Sequence, residues 1–527
     1  MKKASAKPNG YTSPPVPKQG YSFVAAASLF RNYGGLAVFV KYKGGDKNKI
    51  TVKEAGQNHV WLVCPDRELV IVRNAYETGS FYPHGDSFDE VHDFNLFNDA
   101  VSQDLGIEYI MTNYAHTSSE AQHPRLKSTL PPERRINVMS DSGGLQLARG
   151  VTASIHPADL IDFYNNNADA GMVLDVPLYL KDAKTLERAA KLQRENTSIM
   201  LERSKGSELI NIFHGSSIEE RMRFREIVED ERVDRVAMST LNRQTLLTAV
   251  NDIYHTVYGS KKRYKQYHAL GIYIASYIPV LVKIANSGDN PPHITSDSTS
   301  HIQSARNLAY HFQFDITSTS KRLPIGLRAS VPNTQRILPC QCGVCRVLKY
   351  TDILSFVPLR YVMELLATHN AIEMARYAGQ LQEACTQLPP REFNKLVRTQ
   401  LHGNGELKQV NASMDFIDMV TQEGLKKARA RYASMLNIPR SVQGALGNTL
   451  FGEDSHDDAL VKHEHAQALL GRMEHAVKLW KKDGSRPVEP KAAKDETKVI
   501  QIADVKKSKG GKSVKPKPGH KKKVKKA

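Results

Sequence analysis

The chain reads as an α/β protein built on a (β/α)8 TIM-type barrel, and three observations predict it. Short apolar runs alternate with amphipathic helical patterns over residues 21–335, the rhythm of βα units laid into a parallel sheet. Seven of these runs have the length and composition of strands: 107–112, 136–141, 172–175, 209–213, 235–238, 268–273 and 293–296. Asp141, Asp175, His214 and Asp297 each stand at or just beyond the carboxyl end of one of them, the end where such barrels carry their chemistry. A single polar residue there is as readily a cap for the next helix. Four on one rim point to a site.

An eighth strand is supplied by 61–64 or 69–72, both apolar. Between strands, His156-Pro157-Ala158-Asp159-Leu160 opens a helix with proline in its first turn, where the missing N–H has no partner to lose. Residues 184–203 form a long amphipathic helix. Residues 1–20, rich in Lys, Pro, Gly and Ser, read as a flexible N-terminus. Residues 23–30 are apolar, but Pro14, Pro15 and Pro17 precede them and Arg31 ends them. That run is too short for a signal peptide or a membrane span. It reads as the first packed segment of a cytoplasmic protein with no membrane partner.

After the barrel comes Cys340-Gln341-Cys342-Gly343-Val344-Cys345, followed by His369. Three thiolates and one imidazole make a complete tetrahedral zinc set, so one structural Zn2+ with no open position is expected, in a subdomain over 336–387. Cys64 and Cys385 stand apart; five cysteines make no disulfide framework and suit a reducing compartment. Helical periodicity continues over 372–385, 414–433 and 464–481, punctuated by Pro390 and Pro439. The helical region 388–485 could pack on the barrel, extend a nucleic-acid surface or mediate a homodimer. Residues 486–527 read as a Lys-rich disordered tail. Over 506–527 there are eleven Lys and no acid, so +18 less eleven leaves +7 for the rest. Such a run is a polyanion arm or a solubilising terminus.

Ser140-Asp141-Ser142-Gly143-Gly144-Leu145-Gln146 closes the apolar run 136–139. With the cysteine motif, in the same order and at similar separation, it resembles the tRNA-guanine transglycosylase superfamily, which carries D-S-G-G-[FYL]-Q and C-x-C-x-x-C…H. His369-Asn370, read as preceding a helix, is similar to the family pattern as well. The resemblance covers about 108–381 and implies the same barrel, the same zinc site and base exchange at a glycosidic bond. It implies that Asp297, in Thr295-Ser296-Asp297-Ser298-Thr299-Ser300, is the nucleophile. Asp289, in a Gly/Asn/Pro loop, is the competitor and reads as a turn residue. It implies that Asp141 is the general acid/base and that Asp175 recognises the guanine edge. A carboxylate matches the adjacent N1–H and amine donors of guanine. Ser142, Gly143 and Gly144 complete the motif, the glycines letting backbone approach a flat base. His214-Gly215-Ser216 stands where the family has Gln-Gly-Gly; His214 could bond a purine O6 or be structural.

The departures shape the expected substrate. Ala237-Met238-Ser239-Thr240-Leu241 replaces the family's Gly-Gly-Leu, and Ser298-Thr299-Ser300-His301-Ile302 replaces the arginine-bearing segment used on tRNA. The N-terminal extension is also long. This pattern looks like the DNA-acting, DpdA-type branch. The implied reaction replaces guanine in DNA with a 7-deazaguanine base through a covalent Asp–deoxyribose intermediate, protecting phage or host DNA from nucleases. The same exchange on tRNA is the alternative, and a non-catalytic nucleic-acid-binding member is the second. A duplex substrate requires the base to be flipped out. Residues 261–268, rich in Lys and Tyr, enter a strand and so read as a solvated loop on the far rim. Lys321 and Arg322 are better placed for phosphate.

Overall fold

The computed structural model describes residues 20–26, 36–42, 51–56, 59–64, 66–73, 88–94, 106–114, 136–144, 147, 155–175, 183–215, 217–238, 245–270, 275–288, 290–298, 300–306, 309–310, 327–328, 340, 342–347, 359–436 and most of 470–478. The tail, the N-terminal nineteen residues, Asp289, Lys321 and Arg322 lie outside them.

In chain order the first thirteen strands are β1 (Tyr21–Ala26), β2 (Leu36–Lys41), β3 (Thr51–Ala55), β4 (His59–Val63), β5 (Glu68–Arg73), β6 (Glu90–Asp93), β7 (Tyr109–Asn113), β8 (Asn137–Asp141), β9 (Ala170–Met172), β10 (Glu208–Phe213), β11 (Arg235–Met238), β12 (Gln266–Ala269) and β13 (His293–Ser298). Eight of them close a parallel barrel in the order β1-β13-β12-β11-β10-β9-β8-β7. Apolar runs such as Ile136 to Met139 suit these positions because a parallel barrel strand is covered on both sides, by the barrel interior and by outer helices.

The closing strand is β1, which pairs with β13 from Tyr21↔Ile294 to Ala25↔Ser298 and with β7 from Val24↔Tyr109 onward. This corrects the expectation that 61–64 or 69–72 supplies the eighth strand. Those runs belong to β4 and β5 of an antiparallel sheet, ordered β3-β4-β5-β2-β6, inserted between the first and second barrel strands. The long N-terminal segment is therefore an insertion and not an extension before the barrel. Burial along β4 alternates, Val60 and Leu62 inward and His59, Trp61 and Val63 half-exposed, the mark of a strand with one covered face. On β7 and β8 the first four residues are all buried.

The helices lie close to their sequence patterns. His156 caps the helix Pro157–Asn167, its Nδ1 accepting from the Ala158 N–H at 3.2 Å. The helix Ala183–Arg203 follows β9. Among the described residues, the region beyond the barrel packs back onto it. The helices Pro390–Gln400 and Leu407–Glu423 are tied to the barrel helix Ile278–Ala285 by Lys283, whose ammonium meets Asn394 Oδ1 and Asp418 Oδ1, both at 2.6 Å. Leu470, Met473 and Val477 are buried at helical spacing, and Glu474 pairs with Arg188 on the helix after β9. The long helix Leu359–Gln387 lies against β1, where Gln382 Oε1 accepts from the Tyr21 N–H at 3.1 Å. His369 sits inside that helix and not before it. No described helix is long and apolar enough to cross a membrane.

Candidate active site and metal centre

Parallel strands of one barrel end at one rim, and β8, β9, β10 and β13 deliver their last residues to it. Asp141 is the final residue of β8 and Asp297 lies one residue before the end of β13. Asp175 follows β9 by three residues and His214 follows β10 by one. The charges of Asp175 and Asp297 both act on Asp141. Burial first, then those two carboxylates, push Asp141 up to about 7, against the backbone N–H groups of Gly143 and Ser142. Asn113, ending β7, donates from Nδ2 to Asp141 Oδ2 at 2.6 Å.

Asp175 is held from two sides. Ser142 Oγ donates to its Oδ1 at 2.8 Å, and His214 Nε2 lies 2.9 Å from its Oδ2. Ser142 Oγ also accepts from the Gly144 N–H at 3.1 Å. A Ser, an Asp and a His in contact suggest a hydrolase, but here Asp stands between the other two. The His cannot take the Ser proton, so Ser142 is not an activated nucleophile. The His214 ring also packs edge-on against Phe224. His214 is thus engaged with Asp175 through Nε2.

The glycines are explained by contact. A Cβ on Gly144 would stand 2.6 Å from the Asp175 carbonyl oxygen and 2.7 Å from its Oδ1, so any side chain would displace the carboxylate. Gly143 turns the strand end with φ +80°, in the left-handed region. Gly215 carries φ +145°, and its Cβ would meet the Arg221 backbone nitrogen at 2.7 Å. Arg221 Nε donates to the Gly215 carbonyl at 3.3 Å, while its guanidinium pairs with buried Asp252 at 2.8 Å.

Three residues at the site carried no sequence prediction: Asn113, Thr295 and His268. His268 is fully buried on β12, with Nε2 3.4 Å from Asp297 Oδ1 and Nδ1 2.9 Å from Thr295 Oγ1. For Thr295 and His268 the signal was present as polar residues at i, i+2 in strands that should be apolar throughout, Gln266 with His268, and His293 with Thr295 and Asp297.

Away from the rim, Cys340, Cys342, Cys345 and His369 are all buried, with donor atoms within 4.8 Å of one another. Around one tetrahedral ion with metal–sulfur bonds of about 2.3 Å, donors stand roughly 3.5–4 Å apart. His369 Nδ1 is 3.3 Å from both Cys342 Sγ and Cys345 Sγ, so Nδ1 faces the common centre. Hydrogen bonds from Cys340, then from Cys345, drive the Cys342 thiol well below its usual range. That is the donor chemistry of a site able to hold one metal ion. Glu373, one turn beyond His369, stands 3.1 Å behind Cys340 Sγ. Next to His369, Asn370 Nδ2 donates to the His301 carbonyl at 3.2 Å, linking the cluster's helix to the segment just past Asp297.

No protein-family model matches the chain, and no curated protein is similar to it.

Proposed function

We propose that the protein is a base-exchange transglycosylase that replaces guanine in DNA with a 7-deazaguanine base. The observation that carries this reading is the meeting of three carboxylates in different states on one barrel rim. Asp175 is clamped in one orientation, Asp141 is poised near neutrality, and Asp297 remains 18% exposed.

Each state suits one task. Asp297 attacks C1′ of the nucleotide as the C1′–N9 bond breaks, forming a covalent sugar ester. The departing guanine keeps the bond's electron pair and takes a proton from Asp141, a carboxylic acid that both holds and releases a proton near pH 7. The incoming base then gives a proton to Asp141 while its nitrogen attacks C1′ and frees Asp297. Asp175 retains lone pairs beyond those engaged by Ser142 and His214, and these accept the N1–H and amine of guanine. Gly143 and Gly144 let the backbone lie against the base. Cys340, Cys342, Cys345 and His369 would hold a zinc ion with a full shell, which contributes folding free energy and no reaction step.

DNA is favoured over tRNA because 298–302 lacks the arginines with which the resembled enzymes hold tRNA. The test is incorporation of labelled guanine by the full-length protein into duplex DNA and, separately, into tRNA. Label in DNA supports the reading, label in tRNA alone moves the substrate, and label in neither points to the non-catalytic alternative.

A further inference from the structure

Barrel interiors of this type are ordinarily filled by branched apolar side chains. Here Arg235, Gln266, His268 and Thr295 are all buried inside, each no more than 2% exposed. The strand register pairs Arg235 with Gln266 and His268 with Thr295. Their contacts form one chain through the barrel. Glu208 pairs with the Arg235 guanidinium. Arg235 Nη1 donates to Gln266 Oε1 at 2.6 Å, and Gln266 Nε2 donates to Thr295 Oγ1 at 3.0 Å. Thr295 Oγ1 lies 2.9 Å from His268 Nδ1, and His268 Nε2 lies 3.4 Å from Asp297 Oδ1.

Donor and acceptor rules orient the first links of this chain. A guanidinium only donates, so Gln266 must turn its oxygen to Arg235 and its NH2 to Thr295. Thr295 Oγ1 accepts that hydrogen and has its own left for His268 Nδ1. When Thr295 gives its hydroxyl hydrogen to Nδ1, the ring carries its own on Nε2, the nitrogen that faces Asp297.

We propose that His268, held as the Nε2–H tautomer by Thr295, Gln266 and Arg235, is the positioning residue of Asp297. It engages Oδ1 and fixes the rotation of the carboxylate, so that Oδ2 is the attacking atom. This rests on the reading of Asp297 as nucleophile. At 3.4 Å the two make an ion-pair contact, and Nε2 has no hydrogen-bond partner among the described residues. Catalytic contacts of this kind shorten when the substrate is in place.

The test uses full-length, metal-loaded protein with three variants, His268→Leu, His268→Gln and Thr295→Val. Two quantities are read: the single-turnover rate of covalent adduct formation on guanine-containing duplex DNA and on tRNA, and the ring nitrogen resonances of His268, assigned by their loss in His268→Gln. His268→Leu should slow adduct formation by about 10²-fold, as misplacement of a reacting group does. His268→Gln should recover most of that, because its amide can place an N–H near the position of Nε2; a merely space-filling role would show no such rescue. Thr295→Val should slow the step by about tenfold and mix the tautomers. Should His268→Leu fail to fold, the other two variants carry the comparison. A wild-type adduct rate in folded His268→Leu overturns the proposal and leaves the guanine reading intact. If wild type forms no adduct on either nucleic acid, the guanine reading falls. The resonances then decide the proposed orientation alone, an Nδ1-protonated ring overturning it and an Nε2-protonated ring upholding it.

Discussion

The cysteine–histidine cluster and the carboxylate rim both crowd ionisable groups together, and they relieve the crowding in opposite ways. In the cluster every donor turns toward one centre, with His369 Nδ1 equidistant at 3.3 Å from two sulfurs. One metal ion there would satisfy all four donors at once and leave none over. On the rim the donors diverge. Ser142 and His214 hold Asp175, Asn113 holds Asp141, and His268 faces Asp297. Burial first, and then the charges of Asp175 and Asp297, raise Asp141 to about 7. A closed donor set suits a structural metal; an open one with a perturbed carboxyl suits a functional site.

Removing the metal from the cluster should have the largest effect, because binding free energy at such a site is folding free energy, on the order of 10 kcal/mol. Metal analysis should find one equivalent of zinc. Chelation or Cys342→Ser should cut soluble yield and loosen the helix Leu359–Gln387 from β1 before any effect on chemistry is seen. Purified protein with under half an equivalent, yet fully folded, would break the comparison from the cluster's side.

Asp297→Asn is next. It should leave zinc content and melting temperature close to wild type while lowering adduct formation by at least about 10⁴-fold, the usual scale for loss of a nucleophile. Near-normal turnover would shift the role to Asp289 or remove the enzyme reading.

The two sites also differ in legibility. The cluster is readable because its spacing is local: three cysteines within six residues leave little choice of geometry. Asp141, Asp175 and Asp297 are readable because barrel strands align their carboxyl ends. What the sequence hides comes from two sources. The short run of β1 looks like any apolar segment until β13 and β7 bracket it, and the antiparallel insertion offers more conspicuous Val- and Leu-rich strands in its place. The role of His214 is hidden because its ring is committed to Asp175, a contact between residues 39 positions apart. His268 reads as an ordinary strand residue, although a polar side chain at an inward position of a parallel strand is itself a signal.

A smaller effect sharpens the rim's side of the comparison. Asp141 has its folded pKa raised from an ordinary 3.8 to about 7, so its protonated form is the one the fold prefers. Its stabilising contribution is full below the ordinary value and is lost as pH rises through about 7. Asp141→Asn should therefore melt closer to wild type at pH 5 and gain relative to it at pH 8. If Asp141 serves the proposed exchange as its acid and base, adduct formation in the wild type should fall by about tenfold per pH unit above 7, while release by the incoming base should fall below 7. Parallel pH profiles for the two half-reactions would remove Asp141 from both.

The smallest effect on chemistry belongs to the lysine tail. Eleven Lys over 506–527 account for eleven units of the formal net charge of +18. Lysines act on phosphates as point charges and cannot read base edges as a rigid fork does. Deleting 506–527 should weaken DNA binding and flatten its dependence on salt, the slope falling by about 0.9 for each phosphate that the tail neutralises. The base preference of the exchange should stay as it was, because Asp175 and its clamp set it. An unchanged salt slope would make the tail a solubility element, and a changed base preference would mean that the rim does not select the base alone.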